Sequence, residues 1–382
     1  MKIVAADKHD VCFVLPSLNG GGAERAAVHI LNELDASRWN RSMYLFACEG
    51  PYLADLDSGV ALTCGAGAGA SRLRRWRHLR RFLRRTRPQL IVSFLSYFSV
   101  LTAARAAGIG ARVVFNQQTP MSAFLTDEDY QWRRRWHRRA FAMVTRVGYR
   151  LTDAIVTTSK GVADDLVSHF GVAPARIRVV HNPVDVTAVT AAAREPLEPA
   201  HERAWSRPVI VAAGRLADAK NYPLLIDALA HLRRTVQARL FILGQGEREP
   251  ALREQIARLG LGDAVVLCGF QSNPWKYISR ADVFVLSSRY EGFGNVLVEA
   301  MACGVPVVAT ASPGTREIVT DGSDGLLVDR HEPAALAAAL ERMLTDDDLR
   351  RRTAAAARLT AERFALPAIA VAYERAFEEV LA

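Results

Sequence analysis

The sequence predicts an α/β protein of two domains, each a parallel sheet covered by helices on both faces. Three observations carry that expectation. The chain has 382 residues, enough for two sizeable cores. Short apolar runs alternate with helical stretches along most of its length. A strand, a glycine-rich turn and a helix also follow one another repeatedly, and ligands of such sheets bind beyond the carboxyl ends of the strands. Hydrophobic residues make up 50% and charged residues 23%, the balance of a globular chain and not of a disordered one.

Residues 11–16 read as a short apolar strand. Ser17-Leu-Asn-Gly20-Gly21-Gly22-Ala-Glu24-Arg25 follows, and residues 23–34 read as a helix. The glycines do not form Gly-x-Gly-x-x-Gly, and no acidic residue stands at the distance a dinucleotide ribose requires. No Gly-Lys-Ser/Thr follows either, so this is not a P-loop. Strand-like runs recur at 43–47, 90–94, 113–115, 154–157 and 178–180. Asn116-Gln117-Gln118-Thr119 then stands at the end of one such strand, as the glycine loop does at another.

Residues 71–87, SRLRRWRHLRRFLRRTR, are the most polarised stretch. Leu73, Trp76, Leu79, Phe82 and Leu83 recur at helical spacing, and arginines fill most of the rest. Residues 132–150 repeat the pattern, with Trp132, Trp136 and Phe141 interleaved. Such helices either pack on a sheet with solvated arginines or lie on an anionic membrane surface, and one helix can do both. No nucleic-acid motif accompanies the charge.

Ser159 is placed to cap a helix over 160–170. His181-Asn182-Pro183-Val184-Asp185 closes the first domain, 1–185, and residues 186–207, polar and without strong apolar periodicity, read as a linker. The second domain, 208–365, opens with a strand over 208–213, then Gly214-Arg215-Leu-Ala-Asp-Ala-Lys220-Asn221 and a helix over 223–232. Two more strands end in Gly244-Gln245-Gly246 and in Cys268-Gly269-Phe270-Gln271. Helices over 333–344, 349–364 and 366–382 finish the chain. Asp346-Asp347-Asp348 and Asp127-Glu128-Asp129 read as helix-start acids and not as metal ligands.

The most informative stretch is Arg289-Tyr-Glu291-Gly292-Phe293-Gly294-Asn295-Val296-Leu-Val-Glu299-Ala-Met-Ala-Cys-Gly304-Val-Pro306. It follows an apolar strand over 281–286. Gly292 and Gly294 allow a tight turn and close backbone approach to a ligand. Asn295 is expected to cap a helix over 296–303, whose free N–H groups suit a phosphate. Glu291 lies in the turn, placed for sugar hydroxyls, and Glu299 in the first turns of the helix, placed for a ribose diol.

Two glutamates with seven residues between them, set in Glu-Gly-Phe-Gly-Asn and Ala-Cys-Gly-Val-Pro, resemble the signature of retaining glycosyltransferases of the GT-B class, family 4. The resemblance covers nearly the whole chain. It implies two facing Rossmann-like domains and a terminal helix, 366–382, crossing back to the first. It implies that Glu291 contacts the donor sugar and Glu299 the ribose of a nucleotide sugar. Arg215 and Lys220 then neutralise the diphosphate, and fixed cations aimed at the departing charge lower the barrier. Gly21 and Gly22 face the donor phosphates. Gly292, Phe293, Gly294, Asn295 and Val296 line the donor at the helix start, and the turn at Phe270 borders the base. Asn116 and Gln118 position sugar or acceptor; many members carry a histidine where Gln118 stands, and glutamine cannot titrate. No metal or other cofactor is implied.

The net charge of +9, an excess of arginine, favours an anionic partner. With the resemblance it points to a lipid-linked or oligosaccharide acceptor, a UDP- or GDP-linked donor, and a peripheral place on the cytosolic face of the inner membrane. The N-terminus lacks the build of a signal peptide, and no apolar run is long enough to span a bilayer. Cys12, Cys48, Cys64, Cys268 and Cys303 are scattered and read as buried reduced thiols of a cytosolic protein. The alternatives are a sugar-nucleotide epimerase on the same fold and a non-catalytic protein that binds anionic lipid.

Overall fold

A computed structural model describes residues 8–67, 69–126, 135–206 and 208–382, the side chains of 135 and 136 excepted. Trp132, the side chain of Trp136 and Asp127-Glu128-Asp129 therefore lie outside the described residues. In chain order the elements are β1 (His9–Leu15), α1 (Gly22–Glu33), β2 (Trp39–Leu45), β3 (Ala61–Cys64), α2 (Arg72–Thr86), β4 (Leu90–Phe94), α3 (Tyr97–Ala107), β5 (Arg112–Gln117), α4 (Met121–Thr126), α5 (Arg135–Leu151), β6 (Ala154–Thr157), α6 (Lys160–Phe170) and β7 (Ile177–Val179). They continue with α7 (Val186–Ala192), α8 (Pro199–Ala204), β8 (Val209–Ala213), α9 (Tyr222–Leu232), β9 (Arg239–Leu243), α10 (Glu249–Arg258), β10 (Val265–Leu267), α11 (Trp275–Ile278), β11 (Val283–Leu286), α12 (Asn295–Ala302), β12 (Val307–Thr310), α13 (Pro313–Ile318), β13 (Leu326–Val328), α14 (Pro333–Thr345), α15 (Asp347–Glu362) and α16 (Leu366–Leu381).

The chain divides into two compact units. Among the described residues the first comprises 8–125, 135–183 and Leu366–Ala382; the second is Thr126 with Val184–Ala365. Among the described residues the first unit holds a seven-stranded sheet, β3-β2-β1-β4-β5-β6-β7, with every pair parallel. The second holds a six-stranded parallel sheet, β10-β9-β8-β11-β12-β13.

Period-two alternation explains why the strands read as continuous apolar runs: both faces of each sheet are buried. Val11, Phe13 and Leu15 of β1 enter one core with α1 and α16, while Cys12 and Val14 enter another with α2 and α3. In β8, Val209, Val211 and Ala213 face one core of the second unit, and Ile210 and Ala212 the other.

The last helix packs on α1 within the first unit. Phe377 meets Phe13 and Trp39 edge-on at 6.1 and 6.0 Å. The buried Glu374 carboxylate accepts from Asp35 N (2.7 Å) and from the Arg38 guanidinium (3.2 Å).

Four expectations need correction. Residues 186–206 are no loose linker: they fold into α7 and α8 on the second unit and bury Val189 and Leu197. Polar anchors hold them there, Asn273 Nδ2 donating to Ala192 O (2.8 Å) and Ser279 Oγ to Ala193 O (3.0 Å). Cys48 and Cys64 are not free thiols but form a disulfide between the end of β2 and the edge strand β3. That strand, with mostly exposed side chains, had no apolar run to announce it. In α2, Leu79, Phe82 and Leu83 are buried, but Leu73, in the first turn, is 55% exposed, so the apolar stripe is covered only over the later turns of the helix. Asn295 is the first helical residue and not the cap: Gly294, at φ +107°, takes the cap position without a side-chain bond.

Candidate active site

In the second sheet the strand order reverses between β8 and β11, which are neighbours although the strands following each lie on opposite sides. Loops leaving the carboxyl ends of two such strands diverge and leave a crevice. The loop after β8 carries Arg215 and Lys220, and the loop after β11 carries Glu291. The two are tied together: Arg289 N donates to Ala219 O (2.8 Å) and Ser287 Oγ to Lys220 O (2.9 Å).

There the Lys220 ammonium bonds the Glu291 carboxylate. Ser288 Oγ donates to the same oxygen at 2.6 Å. The Glu291 side chain is 11% exposed and that of Lys220 25%, so the pair is shielded from bulk water but reachable. Arg215 is exposed on the same loop. Asp218 faces Arg289 (3.4 Å) and Arg248 (3.9 Å).

Glycines let these loops approach so closely. A Cβ on Gly244 would stand 2.0 Å from Gly214 O, and one on Gly246 2.4 Å from Leu216 O, so the end of β9 lies directly against the Arg215 loop. A Cβ on Gly314 would meet the carbonyl oxygens of Glu291 and Gly292 at 2.8 Å, which sets the start of α13 under the Glu291 turn.

Glu299 lies on α12, where it is 3% exposed among Leu297, Val298, Ala300 and Met301. Trp275 Nε1 donates to its Oε2 at 2.7 Å. Phe293 is 2% exposed and packs edge-on against Phe364 at 5.1 Å. Its side chain thus anchors the turn in the core, leaving backbone groups of Gly292, Gly294, Asn295 and Val296 at the helix start. Phe270 is 54% exposed on the turn after β10.

In the first unit, strand order reverses between β1 and β4, and the glycine loop leaves β1 there. Gly20 is at φ +97°, and Gly21 precedes α1 without a side-chain cap. A Cβ on Gly21 would stand 2.2 Å from Glu24 Oε2, so the Glu24 carboxyl lies over the loop; burial raises its pKa, opposed by its own N–H. Gly22 is exposed. At the end of β5, Asn116 Nδ2 donates to Tyr373 OH (3.0 Å), Gln118 Nε2 to Asn116 Oδ1, and Asn182 Nδ2 to Gln118 Oε1 (2.8 Å).

The sequence singled out Glu291, Lys220 and Glu299 but not the groups that bond them in the structure. Ser288 was legible as a polar residue ending an apolar strand. Trp275 and Asn182 carried no local signal as partners, because Glu299 is 24 residues from the one and Gln118 is 64 from the other.

Comparison with known proteins identifies the family and the fold. The family model described as Glycosyl transferases group 1 matches residues 194–360, and that described as Glycosyltransferase Family 4 matches 20–188. The N-acetylgalactosamine-N,N'-diacetylbacillosaminyl-diphospho-undecaprenol 4-alpha-N-acetylgalactosaminyltransferase of Campylobacter jejuni is 32% identical over 262 residues, 68% of this chain and 68% of that one. The lipopolysaccharide core biosynthesis glycosyltransferase LpsE of Rhizobium meliloti is 36% identical over 211 residues, 55% of this chain and 59% of its own length. Among solved structures, Anabaena HepE in complex with UDP-glucose superposes with a TM-score of 0.78 at 22% identity, over 97% of this chain and 99% of that one. Sucrose-phosphate synthase from Thermosynechococcus elongatus does so with a TM-score of 0.81 at 20% identity, over 98% and 99%. Two parallel-sheet Rossmann-like units of this topology have the GT-B fold. The chain belongs to the GT-B glycosyltransferases of family 4, the group 1 glycosyl transferases.

Proposed function

We propose that this glycosyltransferase moves a hexosyl or N-acetylhexosaminyl group from a nucleotide sugar to a lipid-linked saccharide, with retention of anomeric configuration, in the building of surface polysaccharide or glycan. The observation that carries the reading is the Lys220–Glu291 pair where the strand order of the second unit reverses, with Glu299 buried on the helix that follows. In this reading Glu291 takes sugar hydroxyls and Glu299 the ribose diol. Lys220 and Arg215 face the diphosphate, joined by the amide N–H groups at the start of α12. That positive field is assigned the work a metal would do.

The acceptor oxygen attacks the anomeric carbon on the face from which the phosphate departs. The carbon–phosphate-oxygen bond breaks, and the departing phosphate oxygen takes the acceptor proton, so no protein base is assigned. Gln118, held by two asparagines, positions and does not titrate. A UDP-linked donor is the first choice and a GDP-linked donor the second. The Campylobacter jejuni relative is named for a diphospho-undecaprenol acceptor and LpsE for lipopolysaccharide core. A lipid-linked acceptor also fits α2, whose Arg72, Arg74, Arg77, Arg81, Arg84 and Arg85 are exposed, and α5, which exposes Met143, Val147 and Leu151. No helix among the described residues is long and apolar enough to cross a membrane.

A thermal-shift screen against UDP, GDP, ADP and NAD tests the site. A ligand at 100 times its Kd adds about 2.7 kcal/mol. A chain stabilised only by NAD, or by none of the four, contradicts the reading. With the donor known, Glu291→Gln and Lys220→Ala should each lower turnover by on the order of 100-fold with the fold intact. Conversion of the nucleotide sugar without any acceptor would indicate an epimerase, and the anomeric configuration of the product decides retention.

A further inference from the structure

We propose that Trp275 is a positioning residue for nucleotide recognition: its indole N–H holds the Glu299 carboxylate in the orientation that receives the ribose diol. The inference rests on the reading of Glu299 as the ribose ligand. Glu299 is 3% exposed on a helix whose neighbouring residues are apolar, a place where a carboxylate is costly without hydrogen bonds. The bond it receives from Trp275 Nε1 is 2.7 Å long. Indole is a donor only, so the carboxylate must accept, and this N–H occupies one of its several acceptor positions. An arginine would engage both oxygens in a fork and cancel the charge. The indole N–H orients the group without bringing a counter-charge.

Trp275 is itself held firmly. It opens α11, and its neighbour Tyr277 is fully buried, the hydroxyl bonding Glu198 and standing 2.7 Å from His201 Nδ1. Lys276 Nζ donates to the same Glu198 at 2.8 Å. Glu198 precedes α8, so the folded 186–206 segment fixes the short helix that fixes the ribose carboxylate. This gives the segment a role in donor binding.

The test compares UDP with 2′,3′-dideoxy-UDP on the full chain by calorimetry. Trp275→Phe keeps the ring and removes the N–H. It should weaken UDP about tenfold, the effect of losing a hydrogen bond to a charged group, and change the dideoxy analogue less than twofold. In turnover it should raise KM for the donor and leave kcat at saturation unchanged. Glu299→Gln, with Trp275 intact, should lose the same discrimination, and the double variant should lose no more than either alone. Equal weakening of both nucleotides in Trp275→Phe marks a merely structural residue and overturns the proposal. So does unchanged discrimination in a folded Glu299→Gln, which decides the matter should Trp275→Phe fail to fold. A wild-type chain that binds no nucleotide overturns the underlying site reading and this inference with it; one that binds UDP but is indifferent to Trp275→Phe overturns this inference alone.

Discussion

Glycines that look alike in the sequence have different duties here, and space around them separates the cases. Gly244 is at φ +144°, and a methyl group there would meet Gly214 O at 2.0 Å. Gly244→Ala must push the Arg215 loop away, at about 1–3 kcal/mol, with a raised KM for the donor. Gly262 is exposed and has nothing within 4 Å of its would-be Cβ. Gly262→Ala should stay within about 0.5 kcal/mol of wild type. Chemical denaturation of the two variants side by side checks the contrast. Glu198 offers a pH test at the same scale. Its hydrogen bonds from Lys276 first, then Tyr277, hold the carboxyl down at about 2 against an ordinary 4.5. A depressed folded pKa contributes stability that is complete above about 4.5 and vanishes as the pH falls through about 2. Glu198→Gln should therefore be less stable than wild type at neutral pH, by a small amount for a side chain 43% exposed. The gap should close between pH 4.5 and 2; a gap of constant size would contradict the assignment.

Among the elements, α16 and β3 depend on contacts distant in sequence. Phe377 is fully buried against Phe13, Trp39 and Tyr373, so Phe377→Ala should cost about 3–5 kcal/mol. A Leu359→Ala control, at a side chain 75% exposed on α15, should cost little. Strand β3 has little buried side chain of its own and is fastened by Cys48–Cys64, a closure of 16 residues. Opening a loop of that size releases about 3 kcal/mol of restriction on the unfolded chain. Relative to oxidised wild type, the denaturation midpoints of reduced wild type and of Cys48→Ser/Cys64→Ser should fall by the same amount. An unmoved midpoint would mean that the bond does not form in solution.

For the molecule as a whole, the +9 charge matters through where it is displayed. Helix α2 buries Leu79, Phe82 and Leu83 and turns six arginines to solvent. If that face meets anionic lipid, each arginine adds about 1 kcal/mol. Replacing Arg77, Arg81 and Arg84 by glutamine should then weaken binding to phosphatidylglycerol vesicles by on the order of 100-fold. Thermal stability should be unchanged, and salt should weaken wild-type binding steeply. Vesicle sedimentation that ignores both substitution and salt would remove the membrane role.

Local signals sufficed for much of this protein. Short apolar runs mark the strands of both sheets apart from β3, and Glu291 and Glu299 sit in one motif and Lys220 in another, each with its spacing written along the chain. They sufficed because a buried parallel strand and a glycine turn each have a short-range chemical requirement. Folding alone settled the rest: that Lys220 touches Glu291, that Trp275 grips Glu299, that Cys48 pairs with Cys64 and that residues 186–206 are a docked part of the second unit. Each of these is a contact between segments well apart in sequence. Strand order and crossovers bring such segments together, and no periodicity within either one records the meeting.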